Sequence, residues 1–252
     1  MPYKDITLLD VYRYIVGSYA KERTDEYRQL LHKVSVTLCS SPEGAEMKKV
    51  CATYKRTRFD YVCFSGTFTR RTDANMVAHS GYLCLDFDHL EGLVNDGSTL
   101  RGQTHVLSPM GRTLEGQTPT CSSVIRTLLD DPCFETMLLF TSPSGNGLKW
   151  VIEIDTERAS HRQWFEAVSR YLKATYGLEV DRACVNESRA CFLPHDPKCY
   201  IAPRLLKPLS LLDGHPLPYG GKGVILESMW SENLVDLMEK LGAVEIETRY
   251  EK

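Results

Sequence analysis

Two segments in which apolar and polar side chains alternate constrain the fold of this chain more than any other feature. They cover residues 81–88 and 148–155, and each keeps most of its large apolar side chains on one side. A period of two is typical of β-strands. Helical spacing is found instead over 121–130 and 160–177, and 143–147 (Pro-Ser-Gly-Asn-Gly) has the composition of a hairpin turn. Strands that alternate irregularly with helices and include a hairpin predict an α+β fold with a mixed sheet, rather than a doubly wound parallel sheet.

The rest of the chain is less regular. Apolar spacing predicts helices over 5–31, with a weak point at Gly17, and over 225–241. A Pro- and Gly-rich connector, 203–223, precedes the second of these. Residues 91–120 are rich in Gly, Ser, Thr and Pro, and a structureless loop of that length is either functional or mobile. The remaining predicted elements are short strands at 136–142 and 178–181.

Composition excludes several classes of protein. The 252 residues suit one large domain or two small ones, and 42% hydrophobic with 25% charged residues excludes a disordered chain or a fibre. No apolar run approaches the roughly 18 residues of a membrane span, so no membrane partner is expected. A formal charge of −3 means that any nucleic-acid contact must come from a local basic patch. Nine scattered cysteines, with no apolar leader at the start, predict reduced thiols and a cytoplasmic location.

The strongest candidate for chemistry is the carboxylate pair Asp86 and Asp88. Two residues apart on a strand, both side chains project from one face, where like charges repel each other. A divalent cation removes that repulsion, and oxygen ligands on a rigid strand suit Mg²⁺ or Mn²⁺. The alternative is that both carboxylates lie on a solvated edge.

A second candidate is the turn between two predicted strands, which ends at Lys149. Its glycines expose backbone N–H groups that can approach a phosphate, and the lysine adds a positive charge. The spacing is not that of a P-loop, and a strand follows rather than a helix, so a Walker-type ATPase is disfavoured. The alternative is a plain hairpin with an exposed lysine. The candidate nucleotide-binding residues here are Ser142, Ser144, Gly145, Asn146, Gly147 and Lys149.

Two further groups lie later in the chain. Asp181 ends a predicted strand, with Arg189 close to it in sequence, although an aspartate there is most often a cap or turn residue. Four residues that can bind zinc follow, but they contain no Cys-x2-Cys pair, so buried free thiols are favoured over a structural zinc site. They are Cys184, Cys191, His195 and Cys199.

A basic stretch runs from residue 48 to residue 71. It has seven basic residues against one acid, Asp60, with five aromatic residues between them. That composition fits a patch that contacts phosphates, and it fits equally a solvated strand-and-loop surface over core aromatics. The candidate nucleic-acid-binding residues are Lys48, Lys49, Lys55, Arg56, Arg58, Arg70 and Arg71.

Three segments, taken in order, resemble the N-terminal domain of virulence-associated-protein-E-type proteins. They are Gly81–Leu90, Thr141–Lys149 and Val180–Pro197, and Phe64–Phe68 resembles the strand and turn that precede the first of them. That domain is similar to the archaeo-eukaryotic primase superfamily, which includes primase-polymerases. The resemblance covers about residues 30–200.

The resemblance implies a primase-polymerase-like architecture. An α/β subdomain on the template side is expected over 1–80, a catalytic unit like an RNA-recognition motif over 81–205, and a connector with a C-terminal helix over 206–252. A helicase-type ATPase often follows such a domain, so one is expected on the same or another chain. The implied setting is DNA replication or a mobile element.

The resemblance also implies roles for particular residues. Asp86 and Asp88 match the metal-binding pair of the first motif, and Asp181 matches the carboxylate of the third. The glycine-containing turn matches the second motif, which holds the phosphates of a nucleoside triphosphate, and Arg189 is expected at the same nucleotide. The basic stretch is expected to follow a single-stranded DNA template. The implied reaction is nucleotidyl transfer with two Mg²⁺ or Mn²⁺ ions.

One residue departs from the family pattern. The second motif usually ends in histidine, and this chain has Lys149 there. Lysine binds phosphate as a point charge but cannot replace a neutral imidazole. This departure motivates an alternative, a catalytically inactive nucleic-acid-binding module of a replication or mobile-element protein. A metal-dependent nuclease is the second alternative.

Overall fold

The computed structural model describes residues 3–37, 42–88, 90, 120–206 and 222–226, and it confirms an α+β fold. The helices are α1 (Leu8–Val16), α2 (Lys21–Thr37), α3 (Pro42–Arg58), α4 (Cys121–Leu129), α5 (His161–Tyr176) and α6 (Pro203–Leu206). The strands are β1 (Tyr3–Thr7), β2 (Tyr61–Cys63), β3 (Gly66–Phe68), β4 (Met76–His79), β5 (Tyr82–Phe87), β6 (Thr136–Thr141), β7 (Leu148–Glu153), β8 (Cys191–Phe192), β9 (Tyr200–Ile201) and β10 (Lys222–Leu226). Two 3₁₀ helices cover Asp73–Asn75 and Arg182–Val185.

The strands form three sheets. Their orders are β1-β10-β2-β8, β3-β4 and β5-β7-β6-β9. Every strand pair in the described part of the chain is antiparallel, so the expectation of a mixed sheet is wrong. Because β7 lies between β5 and β6 and is antiparallel to both, β5 and β6 run in the same direction without being hydrogen-bonded to each other.

The sheet built around β7 is covered on both faces. On one face Leu85, Trp150 and Phe165 belong to a core shared with α4 and α5. On the other, Phe140 and Val151 pack with α1 and β2. Every residue of β6, and every residue of β7 except the last, is therefore buried. Polar side chains on this sheet must consequently find partners inside the protein.

Local sequence signals explain both ends of α5. Ser160 caps α5 by a reciprocal bond with Gln163, and Gly177 ends it in the left-handed region with φ of 68°. The predicted helices over 121–130 and 160–177 and the strands at 81–88, 136–142 and 148–155 are confirmed, each to within a few residues.

Three predicted elements differ from the structure. The region 5–31 is a short strand followed by two helices, and the chain leaves α1 at Gly17, where a Cβ would lie 2.9 Å from the carbonyl oxygen of Arg13. Residues 178–181 form no strand, because the N–H of Asp181 bonds to the end of β5 instead of to a neighbouring ladder. The basic stretch begins in a helix, α3, rather than in strands and loops.

Other predictions fall wholly or largely outside the described residues. They are the 91–120 segment, most of the 203–223 connector and most of the 225–241 helix. Of the connector and the last helix, the structure describes 203–206, which form α6, and 222–226, which form β10 between β1 and β2. The predicted helix is therefore wrong for residues 225–226, which pair as a strand. No helix of the described residues has both the length and the apolar character needed to cross a membrane.

Candidate functional site

Asp86 and Lys149 form a buried ion pair at the centre of the site. They are directly opposite each other on β5 and β7, so both side chains leave the sheet on the same face. The side chains are only 8% and 10% exposed, and the Lys149 ammonium donates a hydrogen bond to Oδ2 of Asp86. The other carboxylate oxygen, Oδ1, is buried and has no hydrogen-bond partner among the described residues. A buried carboxylate oxygen without a hydrogen bond is energetically costly.

Asp181 is held against Asp86 although it lies 95 residues later in the chain. Its backbone N–H bonds to the carbonyl oxygen of Asp86 at 2.8 Å. Its carboxylate caps the following 3₁₀ helix by accepting from the N–H of Ala183, and it accepts from the Arg189 guanidinium, both at 2.9 Å. The sequence analysis expected Asp181 and Arg189 at the same site, and the structure brings them together.

Asp86, Asp181 and Cys184 form one group of metal-ligating side chains. The ligand atoms of all three lie within 4.8 Å of one another. Asp86 and Cys184 border a cavity of about 20 Å³, which is room for one water molecule or one ion. The other residues around the cavity include Cys84, Lys149, Arg189 and Cys191. Two carboxylates, one of them with an unpaired buried oxygen, and a thiol fit a divalent cation.

Positive charge also converges on this place. Lys55, on α3, interacts with charges near this group: burial and the Lys149 ammonium lower the pKa of Lys55, and the Asp88 carboxylate raises it. Burial raises the pKa of the Cys184 thiol to about 12, against the lowering effect of Lys149. Cations and carboxylates therefore share one partly desolvated region, where their interactions are less screened than at the surface.

Asp88 does not belong to the metal-ligating group found in the structure. It is exposed, and it lies after the last residue of β5. Its Oδ1 faces Gly147, where a Cβ would lie 3.3 Å from that oxygen and 2.6 Å from the carbonyl oxygen of Phe87. Only glycine allows the turn to approach β5 this closely. The role of Asp88 as a metal ligand stays a prediction.

The turn before Lys149 is stabilised mainly by its own polar groups. The N–H of Gly145 bonds to the carbonyl oxygen of Ser142, and the N–H of Ser142 bonds to that of Gly147. The hydroxyl of Ser144 contacts Ser142 and donates to the side chain of Asn146. Gly145 has φ of 84°, which a hairpin turn of this kind requires. Two of the amides expected to hold phosphate are thus already bonded within the turn.

Sequence reasoning missed Arg28. Its Nε donates to the carbonyl oxygen of Pro143 at 3.2 Å, and its guanidinium lies beside Gly145. Burial lowers the pKa of Arg28, against the raising effect of Asp196 and Asp25. No local signal marks this arginine, because the contact joins residues 115 positions apart.

The predicted basic residues separate into two groups. Lys48, Lys49 and Arg56 are exposed on α3, and Lys49 pairs with Glu46. Arg58 lies over the ring of Tyr54. Arg70 and Arg71 are exposed after β3. Only Lys55 and Arg71 of this set face the aromatic residues described next.

An aromatic pair lies between Arg71 and Lys55. The rings of Tyr61 on β2 and Phe192 on β8 are 6.1 Å apart and edge to face. The Arg71 guanidinium is 5.5 Å from the Tyr61 ring centre, and the Lys55 ammonium is 5.4 Å from that of Phe192. Both rings are partly exposed. We call Arg71, Tyr61, Phe192 and Lys55 the cation–aromatic row; Phe192 directly follows Cys191, which lines the cavity.

The four residues considered for structural zinc do not come together. Cys184 joins the two aspartates, whereas Cys199 packs in the core next to α1. His195 bonds through Nδ1 to the carbonyl oxygen of Gly17 at 2.7 Å. The thiol of Cys191 contacts that of Cys84, and this contact lowers the pKa of Cys191.

A histidine pair that the sequence did not indicate lies at the end of β4. His79 and His161 are 3.1 Å apart through Nε2 and Nδ1, and Glu187 lies close to both. The N–H of Gly81 donates to Nδ1 of His79, so neutral His79 carries its proton on Nε2 and donates it to His161. Because Nε2 is used in this way, the pair is a hydrogen-bonded unit and not an open metal site.

A larger groove lies elsewhere, along α5. It measures about 500 Å³ and carries charges of both signs, including the exposed pair of Lys173 and Glu179. It contains no predicted site residue. The smaller cavity at Asp86 is the better candidate, because convergent buried polar groups define functional sites more sharply than volume does.

Comparisons with known proteins bear on part of the chain. A family model, that of the BT4734-like N-terminal domain, matches residues 117–201. This segment is about a third of the chain, and it carries Lys149, Asp181, Cys184 and Arg189 but not Asp86. No curated protein and no solved structure matches. The chain is thus similar to this family over the segment that carries the later residues of the site.

Proposed function

We propose that this chain is a primase-polymerase-type nucleotidyltransferase domain that acts on a single-stranded DNA template with nucleoside triphosphates. The observation that carries the proposal is that ligand atoms of Asp86 and Asp181 lie within 4.8 Å of each other, and that Asp86 borders a cavity lined also by Lys149 and Arg189. Carboxylates that hold a cation, next to basic groups that bind phosphates, are the parts that phosphoryl transfer requires.

The arrangement of the central sheet supports the same proposal. The order β5-α4-β6-β7-α5, with β7 inserted between β5 and β6, is that of a split β-α-β unit. This is the arrangement expected of a catalytic unit like an RNA-recognition motif. The covered α4–α5 face supplies a rigid core, and the carboxylates lie at the opposite face.

Asp86, Asp181 and the nearby Asp88 are the residues that would hold Mg²⁺ or Mn²⁺. When bound, such a cation lowers the pKa of a primer 3′-hydroxyl and neutralises charge on the triphosphate. The protein's own contribution is to fix the two carboxylates, through the backbone bond between Asp181 and Asp86. Arg189 and Lys55 are placed to bind phosphate oxygens, and Arg189 is the more accessible of the two because it is exposed.

The cation–aromatic row is our candidate for the template path. Bases of a single strand stack on partly exposed rings, and flanking cations bind the phosphates between them. The row uses Tyr61 and Phe192 for the first task and Arg71 and Lys55 for the second. Because Phe192 directly follows Cys191, which lines the cavity, a strand bound on the row would pass beside the cavity.

One observation favours the inactive binding module instead. Lys149 already neutralises Asp86, so the carboxylate has a counter-ion inside the protein. In that case the site would hold the fold together, and the cation–aromatic row alone would carry function.

Incorporation of labelled nucleotides tests the two functions directly. The assay uses a single-stranded template, with and without primer, in Mg²⁺ and in Mn²⁺. We expect product from the wild type and none from Asp86→Asn or Asp181→Asn, while Asp130→Asn, at an exposed helix end, behaves as the wild type. Absence of product, with salt-dependent DNA binding that is indifferent to Asp86→Asn, would establish the binding module. Cleavage of the template would establish the nuclease.

A further inference from the structure

Asp181 and Cys184 are presented together by a short 3₁₀ helix. Asp181 is the N-cap of Arg182–Val185, and the N–H of Cys184 bonds to the carbonyl oxygen of Asp181 at 3.1 Å. With three residues per turn, side chains three positions apart lie one above the other. The carboxylate and the thiol therefore point to the same side, toward Asp86.

The Asp86 carboxylate, which is the third side chain of this group, lacks part of its hydrogen bonding. Oδ1 of Asp86 is buried without a partner among the described residues, and the residue as a whole is 5% exposed. It borders the same one-ion cavity as Cys184. An unpaired carboxylate oxygen and a buried thiol on one small cavity are both explained if a cation binds between them.

We infer that Cys184 is the third protein ligand of a cation site with Asp86 and Asp181, and that its sulfur makes the site select zinc-class divalent cations over Mg²⁺. The inference rests on the cation site of the proposed function and adds to it the identity of one ligand and the class of metal. Thiolates bind Zn²⁺ and its chemical relatives, whereas Mg²⁺ requires oxygen ligands.

The geometry needs little adjustment to bind such an ion. Zinc–sulfur and zinc–oxygen bonds of about 2.3 and 2.1 Å put tetrahedral ligand atoms roughly 3.5 Å apart, and the three groups already lie within 4.8 Å of one another. Three protein ligands leave a fourth position open, as in catalytic zinc sites. On binding, the S–H bond of Cys184 breaks, the proton goes to water and the sulfur donates an electron pair to the cation.

Cobalt(II) is the probe for this test, because it replaces zinc and shows a near-ultraviolet charge-transfer band only when a thiolate binds it. The full chain, freed of metal by dialysis against a chelator, is titrated with Co²⁺. We expect the band in the wild type and its loss in Cys184→Ser, with Co²⁺ affinity lowered at least tenfold, as for loss of a ligand or its support. Mg²⁺ affinity should change by less than about threefold, because Mg²⁺ does not use the sulfur.

Cys191→Ser is the matched control, since Cys191 is a buried thiol on the same cavity but outside the ligand group. It should keep the band. A band that persists in Cys184→Ser, or that disappears in Cys191→Ser, overturns the inference, and so does Co²⁺ binding without any band. Circular dichroism establishes that each variant is folded.

The same proteins separate this inference from the proposed function. Nucleotide incorporation in Mg²⁺ by a wild type that shows no thiolate band overturns the role of Cys184 and leaves the nucleotidyltransferase standing. A thiolate band that depends on Cys184, together with no incorporation in any cation, supports the metal site and overturns the polymerase.

Discussion

Replacing Lys149 by methionine tests how the buried carboxylate of Asp86 is stabilised. The two side chains are 10% and 8% exposed, so the ion pair is far from bulk water. Methionine is unbranched like lysine and one atom shorter, so it keeps most of the apolar contacts but removes the charge. Asp86 is then left buried with neither oxygen paired to a cation, and breaking a buried pair in this way costs about 3–5 kcal/mol.

The expected loss is large enough to measure without ambiguity. Urea denaturation followed by circular dichroism should show a lower midpoint with little change of slope. For a chain of this size, about 3–5 kcal/mol corresponds to a melting temperature lower by roughly 6–20 °C. Asp86→Asn combined with Lys149→Met removes both charges and should recover much of the loss, because no charge remains buried.

Lys173→Met provides the matched control. Its lysine also pairs with a carboxylate, that of Glu179, but the two side chains are 69% and 74% exposed. Loss of that pair should change stability far less than Lys149→Met does, because water screens an exposed pair. The reasoning is refuted if Lys149→Met and Lys173→Met have the same effect, or if the double variant is less stable than Lys149→Met alone.

Three other perturbations have defined outcomes. Gly147→Ala places a Cβ 2.6 Å from a carbonyl oxygen of β5 and should lower the free energy of unfolding, measured in urea, by about 1–3 kcal/mol. Gly177→Ala is the control: it has φ of 68° with open space around it and should lose about 1 kcal/mol from backbone strain alone. Equal losses in the two variants would contradict the close approach at Gly147. Burial and the neighbouring histidine lower the pKa of His79 from 6.5 to about 4, so the unfolded chain binds the proton first and stability should fall as the pH drops from 6.5 to 4. His79→Asn keeps an acceptor for the turn but does not titrate. Between pH 6.5 and 4 the free energy of unfolding of the wild type should therefore fall by about 1–2 kcal/mol relative to that of His79→Asn, after allowance for the partial exposure of His79. A difference between the two proteins that stays constant over this pH range would contradict the lowered pKa. Phe192→Ala should weaken binding of single-stranded DNA by about 1–3 kcal/mol with an unchanged salt slope, because a ring is lost and no charge; Tyr19→Ala, an exposed ring under Arg23, is the control and should bind as the wild type.

Local patterns were sufficient for the elements whose signals lie within a few residues. Alternation predicted β5 and β7, and because both strands keep strict alternation, it also predicted that Asp86 and Lys149 leave their strands away from the apolar face. Apolar spacing predicted α5, and the capping residues Ser160 and Gly177 explain where it begins and ends. Where local signals were weak, prediction failed. The periodicity of 5–31 merged a strand and two helices. Residues 178–181 have the composition of a strand, but their described backbone bonds are one from Leu178 to the end of α5 and one from Asp181 to β5, which do not make a ladder.

The sequence by itself determined which residues have useful chemistry, since carboxylates, lysine and glycine have the same chemical properties in any fold. Only the tertiary structure decided which of them meet. It joined Asp181 to Asp86 through a backbone hydrogen bond, added Cys184 by way of one 3₁₀ turn and left Asp88 exposed outside the ligand group. It also paired Lys149 with Asp86 and brought Lys55, on α3, into electrostatic interaction with Lys149 and Asp88. The physical reason is that these contacts join residues tens of positions apart. Their geometry depends on how sheets and helices pack, and periodicity along one segment carries no information about that packing.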